Sequence, residues 1–204
     1  MRQKVGVRFV VCVLVLTLGV VLSGCSNDPL AKQYRSGTSQ NYIAGDGRVV
    51  EFAPAEREPP VQFASAVEDG SAVASHDYEG KVLVLNFWYA GCPPCRAEAR
   101  DLQKIYEDFA PEGVDFLGVN VRDQPATARA FERTFGITYP SAIDGDDGTM
   151  QLAFTGVVAP SAVPTTLVLD KQGRVASRIL GRIPDASVLR SLITTVLAEK
   201  APSS

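Results

Sequence analysis

An apolar run at residues 81–89 (KVLVLNFWY) leads almost directly into two cysteines, Cys92 and Cys95. A nearly continuous run rich in β-branched and aromatic residues predicts a central strand that is covered on both faces. Beyond the cysteines, the apolar residues that recur at spacings of three and four are Leu102, Ile105, Tyr106 and Phe109. This period predicts an amphipathic helix that begins at the cysteine pair and ends near Pro111 and Gly113. The local order is therefore strand, cysteine turn, helix.

The same alternation continues along the chain. Residues 114–121 (VDFLGVNV) predict a second buried strand, and residues 124–136 predict a second helix that Gly136 ends. This βαβα order favours a parallel sheet with right-handed crossovers. On the amino-terminal side, two short alternating runs around 68–70 predict a β-hairpin.

The carboxy-terminal part has a different pattern. A short strand is predicted at 141–143, and residues 165–180 predict two strands joined by a turn at 171–173. Asp185 is the predicted N-cap of a last helix, whose apolar stripe is Val188, Leu189, Leu192, Ile193 and Val196. A βαβα half followed by an antiparallel ββα half is a thioredoxin-like pattern, which predicts an α/β fold with a central mixed sheet flanked by helices.

The first residues have the pattern of an export signal. Three basic residues precede an apolar run at 9–22, and Leu22-Ser23-Gly24-Cys25 follows, which resembles a bacterial lipobox. We therefore predict a lipoprotein-type signal peptide at 1–24 and a lipid on Cys25; a plain cleaved signal or an uncleaved anchor are the alternatives. In each case most of the protein lies outside the cytoplasm and near a membrane.

The predicted domain organisation follows from where apolar periodicity begins and ends. Residues 25–60 are polar and rich in turn formers, which predicts a tether or a disordered stretch with one short strand at 49–52. Residues 61–200 form the predicted domain, and 201–204 form a tail. With a formal net charge of -3 and no Lys/Arg cluster beyond the first residues, nothing favours a nucleic-acid partner.

The four cysteines reduce to two, because Cys12 lies in the signal and Cys25 is assigned to the lipid. As a structural staple, a disulfide between Cys92 and Cys95 would close a four-residue loop and stabilise the fold by only about 2 kcal/mol. A disulfide that closes a hundred-residue loop contributes about 4.7 kcal/mol. A closed zinc site needs four ligands, and His76 is the one histidine in the sequence. A redox pair fits best, since a helix N-terminus favours a thiolate. A staple or a two-coordinate Cu(I) site remains an alternative.

The helix start assigns a role to each cysteine. If Cys92 is the N-cap, Pro93 and Pro94 occupy the first two helical positions and Cys95 the third. Cys92 is then expected to be the more exposed sulfur and the attacking nucleophile, and Cys95 the resolving thiol. Since proline has no N–H, only the Cys95 N–H remains to stabilise the Cys92 sulfur, although Arg96 adds positive potential.

Two segments, 86–98 (NFWYAGCPPCRAE) and 163–175 (VPTTLVLDKQGRV), resemble the extracytoplasmic thioredoxin-like proteins of the TlpA/ResA type. The resemblance covers residues 61–199. It implies that Cys92 is the nucleophile and Cys95 its partner in a redox disulfide. Val163-Pro164-Thr165 matches the family's cis-proline loop, which docks the extended backbone of a substrate. Residues 138–162 look like the inserted βα element of the family.

The resemblance also assigns residues around the cysteines. Asn86 stands where cytoplasmic thioredoxins carry a buried acid, so that role is vacant there, whereas Glu98 matches a glutamate proposed to affect cysteine ionisation. A solvated first-turn glutamate is the alternative for Glu98. Gly91 replaces a tryptophan, which should leave Cys92 less covered. Trp88 matches another family aromatic that helps dock the substrate, or it belongs to the core.

By the same resemblance, the protein is expected to be a membrane-anchored thiol-disulfide oxidoreductase. It would reduce exported cysteine-containing clients, with apo-cytochrome c as the leading example, and receive electrons from a membrane-embedded thiol protein. No cofactor or metal is expected, and the DGDDG segment at 144–148 lacks calcium-loop spacing. The alternatives are a Cu(I)-binding thiol module, a peroxide-reducing enzyme, or the same exchange chemistry running as an oxidase.

Overall fold

The computed structural model describes residues 48–158 and 162–199. The predicted signal peptide, the proposed lipid site at Cys25, most of the tether and the tail lie outside the described residues. Within the described ranges, no helix combines the length and the apolar character needed to cross a membrane.

Eight strands and four α-helices form the described part of the chain. In chain order they are β1 Arg48–Glu51, β2 Ala64–Ala66, β3 Ala72–Ala74, β4 Val82–Trp88, α1 Pro93–Phe109, β5 Val114–Asn120, α2 Pro125–Phe135, β6 Ser141–Ile143, α3 Thr149–Ala153, β7 Thr165–Leu169, β8 Val175–Leu180 and α4 Ala186–Leu197. This order confirms the predicted strands and helices, including the short strand β6 and the helix α3 of the inserted element.

The main sheet has six strands in the order β1-β8-β7-β4-β5-β6. Strands β4, β5 and β6 are parallel, whereas β7 lies antiparallel to β4, β8 to β7 and β1 to β8. The predicted hairpin forms a separate two-stranded sheet from β2 and β3. The mixed sheet and its flanking helices confirm the expected thioredoxin-like fold.

Strand β4 lies at the centre of this sheet, and every one of its residues is buried. One apolar cluster, which includes Phe87 and both cysteines, covers one face, and a second cluster with Val84 and the apolar stripe of α4 covers the other. Burial on both faces explains why β4 reads as a continuous apolar run rather than an alternating one. Because β4 is packed on both faces, its carboxyl end and the cysteine turn that follows are held against the core.

The described sheet begins before the predicted domain boundary at residue 61. Strand β1 pairs with β8 along its whole length, so part of the predicted tether belongs to the sheet. The Arg57 guanidinium then donates hydrogen bonds to Asp170 at 2.9 Å and to both carboxylate oxygens of Glu199 at 2.6 Å. The short strand predicted at 49–52 is therefore present as β1, and Arg57 is held by partners far along the chain that the local polar composition does not reveal.

Candidate active site

Cys92 and Cys95 form a disulfide at the start of α1, with their Cα atoms 5.3 Å apart. Cys92 is the N-cap of the helix, and its sulfur accepts a hydrogen bond from the Cys95 N–H at 3.3 Å. Pro93 and Pro94 occupy the first two helical positions, as predicted. Because neither proline has an N–H, the Cys92 sulfur depends on the donor at the third position.

The predicted difference in exposure between the two sulfurs is wrong for the disulfide form. Cys92 has an exposed fraction of 0% and Cys95 of 3%. Gly91 does not leave Cys92 open, because both cysteines belong to an apolar cluster that also contains Tyr89 and Val163. Exposure therefore does not identify the nucleophile, and its assignment to Cys92 remains a prediction based on the N-cap position and the resemblance.

The Val163–Pro164 peptide bond is cis, as the resemblance implied. Strand β7 begins at Thr165, which pairs with Phe87 near the end of β4, so the proline loop and the cysteine turn lie at the same end of the sheet. The Pro164 carbonyl accepts a hydrogen bond from Gly181 N–H at 2.8 Å, and the Thr165 hydroxyl donates one to the Ala162 carbonyl at 2.7 Å. Val163 and Thr165 are buried, so their side chains are not a contact surface for a client.

Glu98 is buried beneath the first turns of α1, with an exposed fraction of 1%. One carboxylate oxygen accepts a hydrogen bond from the Asn86 amide at 3.1 Å, and the other accepts one from the Ile183 N–H at 2.9 Å. Asn86 also donates to the Thr166 hydroxyl at 3.1 Å. The solvated alternative for Glu98 is therefore wrong, because the side chain points into the protein rather than along the exposed helix face.

Burial sets the protonation behaviour of Glu98. Desolvation raises its pKa from 4.5 to about 7, although the hydrogen bonds from Ile183 and Asn86 and the charge of Arg182 act in the opposite direction. A carboxyl group that titrates near neutral pH can both accept and return a proton under ordinary conditions. Asn86 occupies the strand position where cytoplasmic thioredoxins carry an acid, and here Glu98 brings a carboxylate to that position from α1.

Trp88 does not lie at the surface. Its exposed fraction is 4%, and its ring packs on Phe131 with the ring centroids 4.3 Å apart. A direct docking contact between its side chain and a client is therefore not supported; the other interpretation, a core residue, fits. The Arg96 guanidinium lies at the surface, where it donates to the Ala90 carbonyl at 3.3 Å and stacks over the Phe135 ring at 5.2 Å.

Asn120 and Asp123, which the sequence analysis did not single out, hold the segment that enters the cysteine turn. The Asp123 carboxylate accepts hydrogen bonds from the Ala90 N–H at 2.6 Å and from the Asn120 amide at 2.9 Å. Asn120 ends β5 and pairs in register with Trp88 at the end of β4. The available signal was the pair of polar residues at and just beyond the end of β5, since β5 is parallel to β4 and the two strand ends meet at one edge of the sheet.

The described residues hold no cluster of three or more metal-ligating side chains. His76 lies on the surface, with its side chain 74% exposed. In the DGDDG segment, the Asp144 carboxylate is fully buried and accepts hydrogen bonds from the Met150 and Gln151 N–H groups at 2.6 and 3.0 Å. Asp144 therefore caps the start of α3, and only the rest of the segment is the predicted surface turn.

Comparison with known proteins places this site in a family. The model of the AhpC/TSA family matches residues 54–178. The thiol-disulfide oxidoreductase ResA of Geobacillus kaustophilus is 34% identical over 57% of this chain, and the matched part spans 64% of the length of that relative. The thiol:disulfide interchange protein HelX of Rhodobacter capsulatus is 32% identical over 73% of this chain and 77% of its own length.

Solved structures agree with the sequence relatives. A secreted thiol-disulfide isomerase from Corynebacterium glutamicum is 32% identical, with a TM-score of 0.68 over 78% of this chain and 97% of its own. A DsbF homologue from Corynebacterium diphtheriae is 35% identical, with a TM-score of 0.65 over 76% of this chain and 97% of its own. The chain therefore belongs to the AhpC/TSA family of thioredoxin-like proteins, and its resemblance to the ResA type is confirmed.

Proposed function

We propose that the protein is a thiol-disulfide oxidoreductase that reduces disulfides in exported client proteins. The observation that carries this proposal is the Cys92–Cys95 disulfide at a helix N-terminus, with the buried carboxyl of Glu98 on the same helix. The relatives named thiol-disulfide oxidoreductase and thiol:disulfide interchange protein support it.

The proposed reaction transfers two electrons from the reduced cysteine pair to a client disulfide. The Cys92 thiolate attacks one client sulfur and forms a mixed disulfide, and the other client sulfur leaves and takes up a proton. Cys95 gives its proton to the Glu98 carboxylate and attacks the Cys92 sulfur. This step forms the Cys92–Cys95 bond and releases the second client sulfur, which takes up a proton in turn. The cis-proline loop at Pro164 would hold the client backbone next to Cys92.

The cellular setting extends the same proposal. A lipid on Cys25 would anchor the protein outside the cytoplasm, and a membrane-embedded thiol protein would return the cysteine pair to the dithiol. Apo-cytochrome c is the leading client by resemblance, alongside other exported cysteine proteins. The polar segment that precedes the described sheet supports a tethered domain.

The reduction potential of the cysteine pair tests the direction of electron flow. Equilibration of the full-length protein with glutathione buffers gives this potential, and insulin reduction gives the exchange activity. A reduction potential of about -270 mV or below indicates a reductase, whereas a reduction potential of about -120 mV would indicate an oxidase. Absence of exchange with either insulin or glutathione disulfide would contradict the proposal.

The two alternatives from the sequence have distinct signatures in the same preparation. A Cu(I)-binding module would bind Cu(I) through the two thiolates at one-to-one stoichiometry and exchange disulfides slowly. A peroxide-reducing enzyme would form a sulfenate on Cys92 with rapid hydrogen-peroxide kinetics. Copper titration and peroxide kinetics on the reduced protein therefore separate these functions from disulfide exchange.

A further inference from the structure

A small cavity lies beneath Cys95, inside the fold. Glu98 is not among the residues that line it. Its volume is about 10 Å³, and its lining includes Asn86, Trp88, Cys95, Tyr139 and Ser141. A polar cavity of this size has room for about one water molecule. Cys95, which the reaction must deprotonate, thus lines a water-sized space together with Asn86, Tyr139 and Ser141.

Two of the lining residues, Asn86 and Ser141, belong to a row of residues across the sheet. In register, Thr166 of β7 pairs with Asn86 of β4, Asn86 with Gly118 of β5, and Gly118 with Ser141 of β6. Gly118 is the one member of the row without a side chain. A Cβ atom at this position would clash with the Ser141 hydroxyl and lie 2.8 Å from the indole nitrogen of Trp88. Gly118 therefore lets the side chains of Ser141 and Trp88 approach the strand closely, at a point where a side chain would not fit.

Two polar atoms near this space lack a hydrogen-bond partner among the described residues. They are the hydroxyl oxygen of Ser141 and one carboxylate oxygen of Glu132, and the two residues have exposed fractions of 1% and 7%. Buried polar groups of this kind usually bind an ordered water when no protein group reaches them. The Ser141 backbone is held in place separately, since its N–H donates to the Glu68 carboxylate at 2.8 Å.

Glu132 also borders the solvent on its other side. An open groove of about 330 Å³ is lined by Glu68, Arg129, Glu132, Gly136 and Ile137, among others, and Ile137 lines the buried cavity as well. Glu132 of α2 therefore lines a groove that shares Ile137 with the cavity beneath Cys95.

We propose that a water in this cavity, together with the Ser141 hydroxyl, links the Cys95 thiol to the Glu132 carboxylate as a second proton route, separate from Glu98. The proposal rests on the proposed function of the cysteine pair. During resolution, the Cys95 proton passes to the water, one water proton passes through Ser141 to Glu132, and the electron pair stays on the Cys95 sulfur. The groove then exchanges the Glu132 proton with solvent. Glu132 is thus a positioning residue, because it acts on Cys95 through the water and Ser141.

The charges around Glu132 are consistent with this role. Burial and the negative charge of Glu68 raise the pKa of Glu132 to about 7, while the positive charges of Arg129 and Arg133 act in the opposite direction. Tyr139, which lines the cavity, has a pKa raised by burial and by the negative charges of both Glu98 and Glu132. The phenol therefore stays protonated at the pH at which the two carboxyls titrate.

The test measures the ionisation of Cys95 without a client. In full-length protein carrying Cys92→Ser, the alkylation rate of Cys95 is followed against pH by mass spectrometry of its peptide. Adding Glu132→Gln removes a negative charge from the linked chain, so the pKa of Cys95 should fall and the thiolate fraction at pH 7 should rise about threefold. Glu112→Gln, an exposed glutamate just beyond α1, is the matched control and should leave the titration unchanged.

A second measurement follows resolution of a preformed mixed disulfide between Cys92 and glutathione. Ser141→Ala and Glu132→Gln should each slow glutathione release several-fold at pH 7, and the double variant should be no slower than either single variant, since both lie on one route. Unchanged Cys95 titration in Glu132→Gln, or fully additive effects on release, would overturn the inference. Because alkylation needs no client, failure of the wild-type protein to exchange disulfides would contradict the proposed function alone.

Discussion

The Glu98 carboxylate accepts a hydrogen bond from the Asn86 amide at 3.1 Å, across the interface between α1 and β4. This contact joins a residue in the helix that follows the cysteines to a residue in the strand that precedes them. It places the buried Glu98 carboxyl beside Asn86, which also lines the cavity beneath Cys95. A carboxylate with a pKa of about 7 is thereby supplied by the helix, although the strand position holds an amide.

Replacing Glu98 with Gln should slow disulfide exchange by about a hundredfold at pH 7, because Cys95 loses its proposed proton acceptor. The rate of insulin reduction should also lose the pH-dependent step near 7 that the raised pKa of Glu98 predicts. Glu112→Gln, at an exposed site, serves as the control and should retain both the rate and the step. An unaltered pH–rate profile in Glu98→Gln would show that Glu98 has a structural role only.

Glu98 should also make stability fall as the pH rises. Its pKa is about 7 in the folded protein against an ordinary value of 4.5 for a solvated glutamate, so the native state binds more protons than the unfolded state between these values. The free energy of unfolding should therefore decrease by up to about 3 kcal/mol between pH 4.5 and a pH above 7. Glu132 contributes in the same direction, because burial raises its pKa as well.

Urea unfolding at pH 5 and at pH 8 measures this loss for the wild-type protein and for Glu98→Gln. The glutamine variant should lose less stability between the two pH values, with Glu132 accounting for the remainder. Carboxyls with lowered pKa, such as Asp170, act at more acidic pH and do not enter this window. Equal losses in the two proteins would contradict the assigned pKa of Glu98.

The two cysteines should differ in which covalent complexes they form. Cys95→Ser leaves Cys92 as a nucleophile without its resolving partner, so incubation with a disulfide client should accumulate a mixed disulfide. Cys92→Ser should accumulate far less, because Cys92 at the N-cap is the assigned nucleophile and Cys95 at the third helical position is the assigned resolving thiol. Non-reducing gels with mass spectrometry identify the linked cysteine. Preferential trapping through Cys95 would reverse the assigned roles.

Arg57 should stabilise the domain although it lies in the predicted tether. Its side chain is 3% exposed and bridges Asp170 and Glu199. Removing one member of a buried ion network leaves uncompensated charge, so Arg57→Gln should lower the free energy of unfolding by about 3 kcal/mol.

Arg190→Gln is the matched control for this loss, because the Arg190–Asp108 pair is largely solvent-accessible. Such surface pairs contribute about 0–1 kcal/mol. Chemical denaturation compares the two variants. A loss for Arg57→Gln as small as that for Arg190→Gln would mean that residues 48–60 contribute little to the stability of the sheet.

The elements around the cysteines were predictable because their signals are local. The apolar run of β4, the period of α1, and the prolines that follow Cys92 each act within a few residues along the chain. The N-cap role of Cys92 and the donor role of the Cys95 N–H followed from proline chemistry alone, and both are confirmed. Asp185 at the start of α4 was predictable for the same reason.

The environment of each side chain was not predictable in this way. A glutamate in a first helical turn is normally solvated, and nothing near Glu98 in the sequence reveals that Ile183 donates to it from 85 positions away. The same holds for Arg57, whose partners lie more than a hundred positions along the chain. The burial of Cys92 and Trp88 likewise depends on segments that the sheet brings together.

The cysteine pair and its helix, the alternation of strands and helices, and the resemblance to the ResA type could all be predicted from the order of residues along the chain. The contacts of the folded chain were needed to show that Glu98 is buried against Asn86, that β1 extends the sheet, and that Cys95 and Ser141 line one water-sized cavity. The physical reason is that helix and strand patterns arise from neighbouring residues, whereas burial and pKa depend on which distant residues exclude water from a given group.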